Sequence, residues 1–230
     1  MHIPNPRHPI AKVCCVILFS GLMAASSWAA VVWDLNPAQQ NAPVGSNSHT
    51  YTSSGFSITA YGFDNNGGVG TSHELFYKFK TEINGAVEFG LGLVNTPNNE
   101  LQVGPGGPLH FIQFDLTSTL AAGLLNGRIS VGSVQASEAF AIYGSNVLGS
   151  LGTQLGSTFG SAFDNQFVNL PNFGQYNFYS IVAAATDVLP VALAADLPPV
   201  PEVSTLLSIV ALLVLVLAHH VWRTRLRKAG

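Results

Sequence analysis

Leu109-His110-Phe111-Ile112-Gln113-Phe114-Asp115-Leu116 is the stretch that decides the fold. His110, Ile112, Phe114 and Leu116 fall on one side of an extended chain, because side chains alternate across a strand. The run is too short and too aromatic for a helix, and turn residues bound it. The same pattern recurs on both sides. Phe56–Tyr61 alternates, and Leu75–Lys80 puts Leu75, Tyr77 and Phe79 on one face. Ala86–Val94 is a glycine-interrupted strand, and Ile129–Val134, Ala139–Tyr143, Phe167–Leu170 and Phe178–Ala183 follow. Strands spaced by roughly ten residues, with Gly, Ser, Thr and Asn between them, predict a mainly β protein. The expected body is a single antiparallel β-sandwich, jelly-roll-like, with one wet face and one buried face.

Other elements are few. Ser118–Asn126 reads as a helix, with Ser118 as its N-cap and Asn126-Gly127 ending it. Gly144–Gly160 is low in complexity and is expected as a mobile loop or a weak edge strand. Pro190–Pro201 is rich in proline, which favours extended backbone, so it reads as a last strand ending in a stiff spacer.

Charge is unevenly placed. Between residues 30 and 200 the basic residues are Lys78, Lys80 and Arg128, against eleven acidic residues, which leaves that segment at −8. An acidic body argues against nucleic acid or an anionic lipid surface as partner. Both cysteines, Cys14 and Cys15, lie near the N-terminus. Arg7 and Lys12 precede an apolar run over Val13–Met23, and small residues fill Ala24–Ala30. This is the layout of a secretory signal peptide. Ser27 and Ala29 place small side chains at −3 and −1, so signal peptidase is expected to cut between Ala29 and Ala30. The mature chain then has no cysteine, hence no disulfide, thiolate nucleophile or Cys-based zinc site.

Catalytic patterns are sparse. The chain has no Gly-x-Ser-x-Gly elbow and no Gly-x-x-x-x-Gly-Lys-Ser/Thr loop. His73 beside Glu74 offers the parts of a general base or a metal ligand, but in a turn before a strand. Asp64, Asn65 and Asn66 are oxygen donors suited to calcium, yet consecutive residues point in different directions. Asp164-Asn165 is a weaker version of the same pattern. Trp33, Tyr51, Tyr61 and Tyr176 have rings that can stack on sugars. Paired carboxylates for glycoside hydrolysis meet only in space. We therefore expect a non-enzymatic chain with no cofactor. A carbohydrate-binding module and, below it, a secreted hydrolase are the competing readings.

The C-terminus carries the most specific signal. Pro201-Glu202-Val203-Ser204-Thr205 precedes an apolar run over Leu206–Ala218, then His219, His220 and Trp222, then Arg223, Arg225, Arg227 and Lys228. The thirteen-residue run spans about 20 Å of helix, while Val203–Trp222 supplies enough length for a hydrocarbon core of ~30 Å. The basic end would stay cytoplasmic. A plain single-pass anchor is the simplest reading of these residues.

Signal peptide, Gly/Asn-rich β body, Pro-Glu element, apolar span and Arg cluster together resemble the PEP-CTERM proteins of Gram-negative bacteria. The usual motif is Pro-Glu-Pro-Ser-Thr, and Val203 departs from it at the third position. The resemblance implies recognition by an exosortase at Pro201–Thr205, then release or transfer of the body to the cell surface, often alongside exopolysaccharide and biofilm. Read this way, residues 1–29 are the signal peptide, 30–189 the β-sandwich ectodomain and 190–200 the spacer. Residues 201–230 form the sorting segment, with a transmembrane helix at 204–222 and a basic tail at 223–230.

Overall fold

The computed structural model describes residues 29–81, 87–199 and 203–228, the side chains of the last stretch over 208–224. The signal-peptide expectation up to Trp28 and the motif residues Pro201 and Glu202 lie outside the described residues. The chain divides into two units, one of which is Trp28–Pro198.

That unit is mainly β, as expected, and its ladders between strands are all antiparallel among the described residues. The strands are β1 (Ala30–Asp34), β2 (Ala42–Pro43), β3 (Ser48–Ser53), β4 (Phe56–Asn66), β5 (Val69–Ser72) and β6 (Leu75–Thr81). Then come β7 (Val87–Leu93), β8 (Leu101–Gly104), β9 (Gly107–Pro108), β10 (His110–Asp115), β11 (Leu125–Gly132) and β12 (Ala139–Ser145). The last are β13 (Thr153–Gln154), β14 (Phe159–Gly160), β15 (Phe167–Asn169), β16 (Phe178–Ala185) and β17 (Asp187–Asp196).

One sheet runs β15-β11-β17-β8-β9, with β1 also on β17. A second runs β13-β12-β16-β10-β4-β3, with β14 on β12 and β5 on β4. A third is β2-β6-β7. All three contribute to one apolar core: Val31, Ile129 and Leu193 from the first sheet, Ile112, Phe114 and Tyr179 from the second, and Leu75 and Leu91 from the third. Burying such side chains contributes about 1.5–3 kcal/mol each, which is what the antiparallel layers are built to do.

Several expectations are corrected. The helix α1 covers Thr117–Ala121 only. Gly123 ends it at φ 77°, and Asn126 sits in β11 at φ 51° rather than at a helix end. Ser118 is not the cap; its hydroxyl donates to the Ser57 carbonyl at 2.7 Å. The expected spacer over 190–200 is strand as far as Asp196, and β17 is the hub of its sheet, pairing with β1, β8 and β11. Pro190 is tolerated there because β17 slips register between Ser130↔Ala192 and Val131↔Pro190, a bulge that removes the need for a ladder N–H.

Part of the wet face is also covered. Phe111 and Gln113 point away from Ile112 and Phe114, yet both are 0% exposed. Phe63, Phe111, Ala141, Leu151 and Val182 form a second apolar cluster there. Residues 146–152, expected as mobile, lie over that cluster and are pinned to it. The Gly149 N–H donates to Gln113 Oε1 at 2.7 Å, and Gln113 Nε2 donates to the Ser150 carbonyl at 2.8 Å. The edge pairings of β13 and β14 on β12 match the weak edge strand.

The C-terminal helix α2 is Val203–Lys228, and its described side chains, 208–224, are all exposed. Among the described residues no helix is long and apolar enough to cross a membrane. The expected transmembrane helix over 204–222 is corrected to that extent.

Candidate functional site

The β4–β5 hairpin builds the site. Its turn is Asn66-Gly67-Gly68-Val69, with Gly67 and Gly68 at φ 66° and 92°. Two consecutive positive φ values are the signature of the tight hairpin turn whose twist matches the strands, and glycine adopts them without strain. The hairpin sets Asp64 opposite Thr71, while the neighbouring ladder sets Asp64 opposite His110. Asp64 and His110 thus extend the inward rows of β4 and β10 to the end of the sheet.

His73 arrives just after β5. Its N–H donates to the Gly62 carbonyl at 2.9 Å. A Cβ at position 62 would stand 2.5 Å from the His73 carbonyl oxygen, so only glycine lets the chain come this close. His73 Nδ1 lies 2.7 Å from Asp64 Oδ1, and its Nε2 lies 2.6 Å from the Val94 carbonyl. His110 Nε2 lies 3.5 Å from the same Asp64 oxygen. The two rings meet edge-on with centroids 5.9 Å apart. Ligand atoms from the three residues all lie within 4.8 Å of one another. Side-chain exposure is 43% for Asp64, 20% for His73 and 14% for His110, so solvent reaches the carboxylate.

The proton count is constrained. The Val94 carbonyl only accepts, so His73 Nε2 carries a hydrogen. In the neutral ring Nδ1 is then a bare lone pair facing a carboxylate oxygen. Burial pushes the His110 imidazolium below the usual histidine range, with His73 adding to the effect and Asp64 opposing it. His110 Nδ1 is buried and has no partner.

The sequence-level candidates separate here. Asp64 is in the cluster, but Asn65 and Asn66 are not. Asn65 donates to the Pro108 carbonyl and accepts from the Gly68 N–H, while Asn66 donates to Thr71 Oγ1. These are turn-locking bonds, and no calcium shell forms from the three. Glu74 points away from His73 and accepts from the Gly45 N–H at 3.1 Å. Asp164 caps the Val134 N–H and holds Asn165. His110 falls on the same side of its strand as buried Ile112 and Phe114, as the alternation predicts. Its partners were missed because strand register, not spacing, brings them together. A lone imidazole on an otherwise apolar face was the available signal.

The sugar-stacking rings are largely core. Trp33 and Tyr51 are 2% and 6% exposed. Trp33 Nε1 donates to the Phe56 carbonyl, and the Tyr51 hydroxyl donates to the Leu35 carbonyl. Tyr176 packs edge-on against Tyr179, and half-buried Tyr61 stacks on Phe63. A groove of about 540 Å³ does lie elsewhere, lined by Asn126, Arg128, Asn169, Phe173 and Asp196. Arg128 is ion-paired to Asp196 in its wall.

A second cluster of charged side chains is buried in the β unit. Lys78, 4% exposed, is ion-paired to Glu100 and lies 2.9 Å from Glu88. Ser133 donates to Glu100 at 3.3 Å, and Gln135 donates to Glu88 at 3.0 Å.

No family model and no curated protein matches this chain.

Proposed function

We propose that the chain is an exported surface or matrix protein: a jelly-roll-like β-sandwich whose C-terminal segment associates with a membrane, and which is then released or transferred by an exosortase reading Pro201–Thr205. Its role is structural or adhesive within an exopolysaccharide matrix, with no reaction of its own. One observation carries this reading. A compact β unit closes at Pro198, and the Pro-Glu element begins three residues later. An exposed apolar helix with a basic end follows at once.

Two features support it. Ile209, Val210 and Leu212–Leu217 are each more than half exposed. A helix apolar all round needs a protein or lipid cover. At the other end, β1 begins at Ala30, the residue that the expected signal-peptide cut leaves first. The competing carbohydrate-module reading loses Trp33 and Tyr51 to the core.

Glu202→Ala tests the reading. If Glu202 is read by the processing enzyme, the variant stays full length in the membrane fraction while the unaltered chain reaches the surface. Equal release of both chains contradicts processing at this element.

A further inference from the structure

We propose that Asp64, His73 and His110 bind a first-row divalent transition-metal ion of the zinc class, through one carboxylate oxygen and two imidazole nitrogens. The inference is independent of the tail and of any processing.

The donor set chooses the metal. Calcium takes six to eight oxygens, and magnesium takes oxygen and water. Two imidazoles with one carboxylate suit zinc and its neighbours. Bonds of about 2.0–2.1 Å at tetrahedral angles put neighbouring donor atoms roughly 3.3 Å apart. His110 Nε2 and Asp64 Oδ1 are 3.5 Å apart. The His73–Asp64 pair, at 2.7 Å, has to open by several tenths of an ångström. Asp64 is the most exposed of the three and the freest to move.

Orientation comes from the fold. A ligating histidine usually donates its other ring N–H to a backbone carbonyl or carboxylate, which fixes the tautomer and aims the lone pair. His73 does this through Nε2 to the Val94 carbonyl. Its Nδ1 lone pair is thereby aimed at Asp64. Two acceptors at 2.7 Å need a positive species between or beside them, either a proton or a metal ion. His110 brings a second imidazole to the same oxygen through Nε2. An ion pair of His73 and Asp64 alone gives no reason for that ring. Three protein ligands at a solvent-reached position leave the fourth site to water.

Binding would tie the hairpin to β10 and to the link between β5 and β6. The test is a titration of the metal-stripped full chain with zinc chloride, followed by calorimetry, and with cobalt(II), followed by its visible absorption. His219→Ala/His220→Ala combined with Cys14→Ser/Cys15→Ser is included as a control for adventitious binding at the tail histidines and the N-terminal cysteines. We expect one equivalent bound in the control variant, a tetrahedral cobalt spectrum, and a Tm rise of roughly 5–10 °C at zinc one hundred times Kd. His73→Gln, His110→Gln and Asp64→Asn should each weaken binding by more than roughly 100-fold, with circular dichroism showing each variant folded. His73→Gln alters the more exposed ring and keeps the test available if His110→Gln fails to fold. Unchanged binding in folded His73→Gln overturns the proposal. So does saturation by calcium at the same concentration, or a His73–Asp64 pair that stays protonated and binds no metal.

Discussion

Lys78→Met lowers the stability of the β unit by about 3–5 kcal/mol, the cost of breaking a buried ion pair by removing one partner. Lys78 is 4% exposed, Glu100 2% and Glu88 13%. One cation serves two carboxylates, and the hydroxyl of Ser133 and the amide of Gln135 are too weak to replace it. Methionine keeps the stem and its packing, so the loss reports the charge. A urea titration reads it as a lower midpoint at unchanged slope. Adding Glu100→Leu should recover at least half of the deficit, because a buried pair replaced by apolar groups is often neutral. A loss under about 1 kcal/mol for Lys78→Met would mean the cluster is solvated, as surface ion pairs are.

Gln113→Leu has the second large effect and a more local signature. Gln113 is wholly buried, and both ends of its amide are used, toward Gly149 and toward Ser150 and Ser180. Leucine fills a similar volume but leaves an N–H and a C=O without partners, at about 1–3 kcal/mol. Hydrogen exchange at Gly149 and Leu151 should rise well above that at β10 and β16. Uniform loss of protection, or none, would contradict the view that Gln113 pins this segment.

These two sites mark where the sequence was legible and where it was not. The alternation of Leu109–Leu116 correctly placed Ile112 and Phe114 in the core. It did not show that Phe111 and Gln113 are also covered, because the cover comes from residues 146–152, a Gly/Ser-rich segment with little local pattern. Pro190–Pro201 reads as a last strand, which it is as far as Asp196, but not as the hub of a sheet, and β17 carries Pro190 there because a bulge falls at that residue. Ser118–Asn126 had helical composition, yet Gly123 at φ 77° stops the helix, and β11 takes Leu125 into the sheet. At the candidate site, sequence adjacency misled. His73 and Glu74 are neighbours that face apart, while Asp64 and His110 meet through strand register. The burial of Lys78 was equally hidden, since a lysine in Leu75–Lys80 reads as the solvent side of a strand.

The tail is the reverse case. Its meaning lies in the order of residues, and Pro201 and Glu202 stand outside the described residues. The most direct measurement is therefore chemical. Mass spectrometry of surface-extracted protein should find a mature chain that begins at Ala30 and lacks Arg223–Lys228 together with the apolar helix before them. A surface form that keeps Arg223–Lys228 intact would contradict sorting by removal and leave a plain anchor.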